Sequence, residues 1–370
     1  MKIAKIETFT TVDMGLVRVT TDTGHQGWGQ VSTYHSDISC SVLHRQVAPW
    51  VLGRDISDLT KIGDVFDLAF EREYKFPGSY MCRAVGGVDT AIWDLHGKLE
   101  NKSVCELLGG TPKPIRVYGS SMKRDISGQQ EADRFAKLRD IHGYDAFKFR
   151  IGAECGRNQD EWPGRTEEIV AAVRNTLGDD IDLLVDGNSC YHPETAIEVG
   201  KLLEDHGINH FEEPCPYWEY DWTKQVTDAL SLDVTGGEQD NNLTLWQKMI
   251  DEETVDIYQP DICYMGGIER TMRVVKMAQK AGKIITPHAA NMSLVTIFTL
   301  HLMGAIENAG PYVEFSIEEA DYYPWQYGIY DDFPVVKEGK VQIPQGPGWG
   351  VNIRDAWLNK SQYQCSEWQR

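Results

Sequence analysis

From Ile115 onward, short β-rich runs alternate with amphipathic helices. That rhythm forces a parallel sheet, because parallel neighbours need a long crossover and a helix is the compact way to make one. The expected strands are 115–118, 146–149, 182–185, 208–211, 233–236, 256–259, 283–286 and 311–313. Helices between them have readable stops: 165–177 before Gly178, 193–205 before Gly207 and 268–280 before Gly282. Eight βα-type repeats with no GxGxxG after the first strand favour a (β/α)8-type barrel over a doubly wound sheet.

The block ahead of Gly109-Gly110-Thr111-Pro112 reads differently. Ile3, Ile6, Phe9 and Leu16 to Val19, with a turn at Asp22-Thr23-Gly24 and then Gly27-Trp28-Gly29, predict a small antiparallel meander. Helical spacing follows over 41–51, 59–71 and 80–99. The expected organisation is an α+β unit over 1–112, a barrel over 113–334, and a tail over 335–370, rich in Gly, Pro and Trp, that returns to the first unit.

Lys and Arg number 36 against 56 Asp and Glu, a formal charge of −20, which argues against nucleic-acid binding. No apolar run approaches the roughly 20 residues that a membrane span needs, and the first residues do not read as a signal peptide. The eight cysteines are scattered without CxxC pairing, as expected of reduced thiols in a cytoplasmic protein that binds no membrane.

In a barrel of this kind, chemistry is built at the C-terminal ends of the strands. Those positions carry Lys148 and Arg150, Asp186 and Asn188, Glu212 and Glu213, Glu238 and Asp240, Asp261, His288 and Glu314. Taken singly, each acid is as well explained by a helix cap or a rim ion pair. The equal spacing of Asp186, Glu212 and Glu238 on three successive strands reverses that reading for the set. Three converging carboxylates call for a hard divalent cation, and all-oxygen ligation points to one Mg2+ rather than zinc. A lone His after a strand is usually structural, but Asp261 one strand earlier is suited to accept its second ring N–H.

The ordered set Lys148-Phe149-Arg150, Asp186-Gly187-Asn188, Glu212-Glu213-Pro214, Gly237-Glu238, Asp261 with His288, and Glu314 resembles the mandelate racemase subgroup of the enolase superfamily. Gly27-Trp28-Gly29, the stretch from Arg83 to Asp94, and Cys105 to Gly110 resemble the same family's capping domain. The resemblance implies a modified (β/α)7β TIM-type barrel, with an α+β capping domain formed by N-terminal and C-terminal segments. It implies Mg2+ on Asp186, Glu212 and Glu238, and abstraction of a proton α to a carboxylate. Lys148 would supply charge to the carboxylate oxygens, Glu314 a hydrogen bond if it stays protonated, and His288 the base. By analogy the chain is a homo-oligomer, from dimer to octamer.

Position 150 departs from the Lys-X-Lys of many members. A guanidinium with a pKa above about 12 is a poor base and a good binder of oxyanions. One competent base suits β-elimination better than two-base inversion. The expected enzyme is therefore an acid-sugar dehydratase, with a 2-hydroxy-acid racemase or epimerase as the alternative. A metal-dependent hydrolase would normally bring histidine ligands, and a non-catalytic relative would not need the intact set.

Substrate contacts are expected from Asn188, from the cap loops through Tyr34, His35 and Lys75, and from Arg157 and Trp162 in the long 151–165 connection. Their polarity fits a polyhydroxylated small-molecule anion. The aromatic run Tyr322 to Tyr327 is read chiefly as packing between cap and barrel.

Overall fold

The computed structural model describes residues 1–369. Strands β1 (Ile3–Thr10), β2 (Gly15–Thr21) and β3 (Gln26–Gln30) form the antiparallel meander. The helix Ser79–Glu100 lies against it. The helix comes close enough that a Cβ on Gly27 would sit 2.0 Å from the carbonyl oxygen of Ala91, and one on Gly29 2.4 Å from that of Gly87. The Gly-Trp-Gly motif thus reflects backbone approach rather than a turn.

Eight parallel strands follow: β4 (Pro114–Ser120), β5 (Ala146–Arg150), β6 (Asp182–Asp186), β7 (His210–Glu212), β8 (Asp233–Gly236), β9 (Ile257–Tyr258), β10 (Ile284–Ile285) and β11 (Val313–Ser316). They curl in the order β10-β9-β8-β7-β6-β5-β4-β11. Ile285 of β10 makes one bridge to Ala309, in the segment just ahead of β11. A helix of eight or more residues follows each strand from β4 to β10, and among the described residues none follows β11, which is a (β/α)7β plan.

The tail divides its packing. β12 (Lys340–Gln342) pairs antiparallel with the first residues of β4, and β13 (Gln362–Glu367) pairs with β1 and becomes the fourth strand of the cap sheet. A cavity of about 880 Å3, lined in part by Lys113, Lys337 and Lys340, opens at this N-terminal end of β4, away from the strand ends that carry the ionisable residues. Among the described residues no helix is long and apolar enough to cross a membrane.

Two expectations shift at their edges. The helix placed at 41–51 starts at Ser36 and opens into a π turn over Leu43–Val47. Buried His44 sits in that turn, within hydrogen-bond distance of Thr8 Oγ1 at 2.9 Å and Ser366 Oγ at 2.7 Å. The turn thus ties the helix to both β1 and β13. The strands placed at 208–211 and 311–313 are observed at His210–Glu212 and Val313–Ser316. Their last residues include buried acids, which an apolar pattern does not mark as strand.

The helix Leu294–Met303 is buried along its whole length, with Leu294, Phe298 and Leu302 in one cluster with cap residues Phe9, Met14 and Leu16. Within it His301 accepts the Cys105 N–H at Nδ1 (3.0 Å), which leaves Nε2 to donate to the Trp349 carbonyl (3.2 Å). Only the neutral ring satisfies both bonds, and burial holds the His301 pKa down, to about 4. The unfolded chain takes up this proton near pH 6.5 and the folded one does not. Stability should therefore be full above about pH 6.5 and fall by roughly 3 kcal/mol on this account as the pH drops toward 4. Denaturant titrations across that range should show the loss, and His301→Gln should flatten its slope by about one proton; an unchanged slope refutes the assignment.

Candidate active site

The register of the parallel ladder brings the ionisable strand ends together. Arg150 pairs with Asp186 across β5 and β6, and Asp186 with Glu212 across β6 and β7. Side chains that leave adjacent strands at one level toward one face must share a small volume, and here most are buried. Lys148 lies at the centre, only 1% exposed. Its Nζ is 2.6 Å from Glu212 Oε1, 3.0 Å from Glu314 Oε1 and 3.9 Å from Asp186 Oδ2.

The distances sort the protonation states. Burial pushes the Glu212 carboxyl up, but Lys148 and His210 overcome it and hold it far below the usual range. Asp186, farther from the ammonium, stays raised by burial and by Glu212. Burial disfavours the Lys148 charge, yet the surrounding acids keep it firmly protonated.

His288 Nδ1 is 2.8 Å from Asp261 Oδ2, and the other Asp261 oxygen accepts the Tyr264 N–H at 2.8 Å, which fixes the carboxylate as the cap of a helical turn. The remaining ring nitrogen, Nε2, lies 3.4 Å from Glu238 Oε2. Burial would lower the imidazole pKa, but Glu238 and Asp261 raise it, to about 10.

Glu314 differs from expectation. Its Oε1 accepts from Ser120 Oγ at 2.7 Å beside Lys148, and its Oε2 accepts the Ala289 N–H at 2.8 Å. Despite burial its pKa is lowered, chiefly by Lys148. Both oxygens accept hydrogen bonds, so the side chain anchors Lys148 and the His288 loop, and Lys148 favours its charged form.

Of the other expected contacts, Asn188 is at the site. Its backbone and side-chain amides both donate to Asp186 at 2.8 Å, and its own carbonyl accepts from Arg124. Tyr34 stands edge-on to Trp325 with ring centroids 5.6 Å apart, and the charge of Arg150 bears on its phenol. His35 and Lys75 are exposed, Lys75 beside the Tyr74 ring. Arg157 is largely exposed and pairs with Glu154, while Trp162 stacks on Arg165. The 151–165 segment is tied down through Gly156 and Asn158 amides to the Ser189 and Cys190 carbonyls, at 2.9 Å each.

Gln259 and Ser120 were not singled out by sequence. Gln259 donates to Glu212 Oε2 at 2.7 Å, and the only signal was its place as the polar last residue of an expected strand. Ser120 is the end of β4, and a small hydroxyl carries no signal of its own.

Among the described residues no three His, Cys, Asp or Glu side chains stand together at the distances of a direct metal shell. The donor chemistry still fits Mg2+. Asp186, Glu212 and Glu238 are buried all-oxygen donors, and neighbouring Glu213 is buried with one oxygen that has no partner. Acids at this mouth outnumber the cations that neutralise them.

The fold and site define a member of the enolase superfamily. Residues 130–357 match the enolase C-terminal domain-like family and residues 1–109 the mandelate racemase / muconate lactonizing enzyme N-terminal domain, so the chain belongs to that family. A crystal structure from Roseobacter denitrificans, described as that of a candidate racemase, is 63% identical, with a TM-score of 0.97 over 99% of this chain and 100% of that one. Arabinonate dehydratase of Saccharolobus solfataricus is 27% identical over 94% of this chain and 89% of its own length. A mandelate racemase/muconate lactonizing protein from Paracoccus denitrificans, crystallised with magnesium, is 25% identical, with a TM-score of 0.86 over 99% of this chain and 98% of that one.

Removing one partner of a buried ion cluster leaves uncompensated charge. Lys148→Met should therefore lower the unfolding free energy by about 3–5 kcal/mol in urea titrations. An unchanged midpoint would mean that Glu212 and Glu314 do not depend on the ammonium.

Proposed function

We propose that the protein is a Mg2+-dependent dehydratase of a polyhydroxylated sugar acid, an aldonate or aldarate, yielding a 2-keto-3-deoxy acid. The observation that carries this is the His288–Asp261 pair at 2.8 Å in a site whose position 150 is Arg. That combination supplies one competent base. The arabinonate dehydratase relative supports the same class.

In this reading Asp186, Glu212 and Glu238 would hold Mg2+, which supplies positive charge to the substrate carboxylate. Lys148 adds a second positive charge to the carboxylate oxygens as the α-proton leaves, which favours the enediolate over the ground state. With Glu238 committed to Mg2+, the charge that chiefly raises the His288 pKa would be withdrawn, so that His288 Nε2 takes the α-proton while Asp261 holds the ring in orientation and stabilises the imidazolium. The C–O bond at the β-carbon then breaks, the imidazolium returns its proton to the departing hydroxide as water, and the enol tautomerises to the keto acid. Arg150 binds an oxyanion and does not exchange protons. Glu314 keeps Lys148 in place.

A second reading, racemisation of a 2-hydroxy acid, is favoured by the description of the Roseobacter structure. It needs a second base at position 150, where burial lowers the Arg150 pKa but Asp186, the neighbouring tyrosines and Glu238 together raise it further above its usual value.

A panel of aldonates and aldarates assayed with Mg2+ for keto acid decides between the two. Keto acid from at least one is expected, with loss of activity in chelator. Optical inversion without keto acid would replace elimination by racemisation. His288→Asn should reduce turnover by roughly 10^3-fold, and retained exchange of the α-proton with solvent deuterium would reassign the base.

A further inference from the structure

Beside Asp186 and Asn188, on the β4–β6 side of the mouth, three guanidiniums gather without a carboxylate in hydrogen-bond contact. Arg124 donates to the Asn188 side chain, and Arg150 Nε is 3.8 Å from Asp186 Oδ2. Arg165, fully buried, donates only to the backbone carbonyls of Arg150 (2.9 Å) and Lys123 (3.5 Å). The Nε of all three is buried and has no hydrogen-bond partner among the described residues. Of the nearby acids, Glu131 pairs with Arg134 at 3.3 Å and Asp160 accepts the Thr166 N–H at 3.1 Å, while Asp186 and Glu161 act on the guanidiniums through charge alone, without a hydrogen bond to any of the three.

This arrangement is costly three times over. The charges repel, since Arg150 and Arg165 both act on Arg124, where burial already disfavours the cation. Arg165 also begins the helix Arg165–Leu177, where the helix dipole opposes positive charge. Each orphaned N–H carries the desolvation cost of an unmade bond. A bound anion relieves all three, and a planar carboxylate matches the fork of a guanidinium.

We propose that Arg124, Arg150 and Arg165 form a subsite for a second anionic group, so that the substrate is a sugar diacid of the aldarate type rather than a monoacid. Arg124 and Arg150 are the contacts. Arg165 is a positioning residue that holds the backbone of both flanking segments. This deepens the dehydratase reading, which supplies the first carboxylate at Lys148.

Binding to the His288→Asn variant, measured by titration calorimetry with Mg2+, separates recognition from turnover. The probes are galactarate and glucarate, each against its matching monoacid, galactonate and gluconate. The diacid should bind at least about tenfold tighter, the worth of one charge-assisted contact. Arg124→Met should remove most of that preference. Arg124→Lys, which keeps the charge and loses the fork, should fall between and carries the comparison if the Met variant does not fold. Equal affinity for diacid and monoacid, or an unchanged ratio in Arg124→Met, overturns the subsite. Keto acid made equally well from both classes also overturns it while leaving the dehydratase reading intact. A diacid preference without keto acid production supports the subsite and rejects that reading.

Discussion

One buried ammonium organises this mouth. Lys148 lies within salt-bridge distance of Glu212, Glu314 and Asp186, which come from three strands, so the register of the sheet and the charge state of the site are the same fact. A carboxylate 2.6 Å from it is held far below its usual range, and one 3.9 Å away is raised by burial and by the first. Charges this deep are tolerated because each is bonded on its other side as well, Glu212 by Gln259 and Glu314 by Ser120 and Ala289.

The cap is built into that mouth. Gln30 of β3 donates to Ser293 at 2.8 Å and accepts the Leu294 N–H at 2.9 Å, so the loop that begins at His288 enters its helix against the cap. Asp89, on the cap helix Ser79–Glu100, accepts the Ile268 N–H at 2.6 Å, just past the turn capped by Asp261. Both members of the His–Asp pair therefore stand on segments braced by the cap. Cutting the chain near 112 would leave Asp89 and Gln30, both fully buried, without these partners.

Much of this was legible from residue order. Strong punctuation at Gly178, Gly207 and Gly282 located three helices whose observed bounds are Arg165–Leu177, Pro193–Asp205 and Ile268–Lys280. Polar residues at the ends of apolar runs pointed to Lys148, Asp186, Glu212 and His288, because a strand end in a barrel puts its last side chain at the mouth. What escaped were residues whose roles depend on a partner distant in sequence. Gln259 matters because of Glu212, Ser120 because of Glu314, and Arg165 because its fork spans two carbonyls of other segments. Arg157 and Trp162 sit in a loop whose length was informative, but length does not say which way a side chain turns.

By itself the sequence determined the βα rhythm, the order of ionisable residues along it and the absence of a second lysine at position 150, since periodicity and residue chemistry are local properties. Only the tertiary structure decided which acids sit closest to Lys148, that both Glu314 oxygens accept hydrogen bonds, and that three arginines lie together with no carboxylate in hydrogen-bond contact. Those outcomes depend on distances between strands and on burial, and both are set by packing that no stretch of the chain encodes alone.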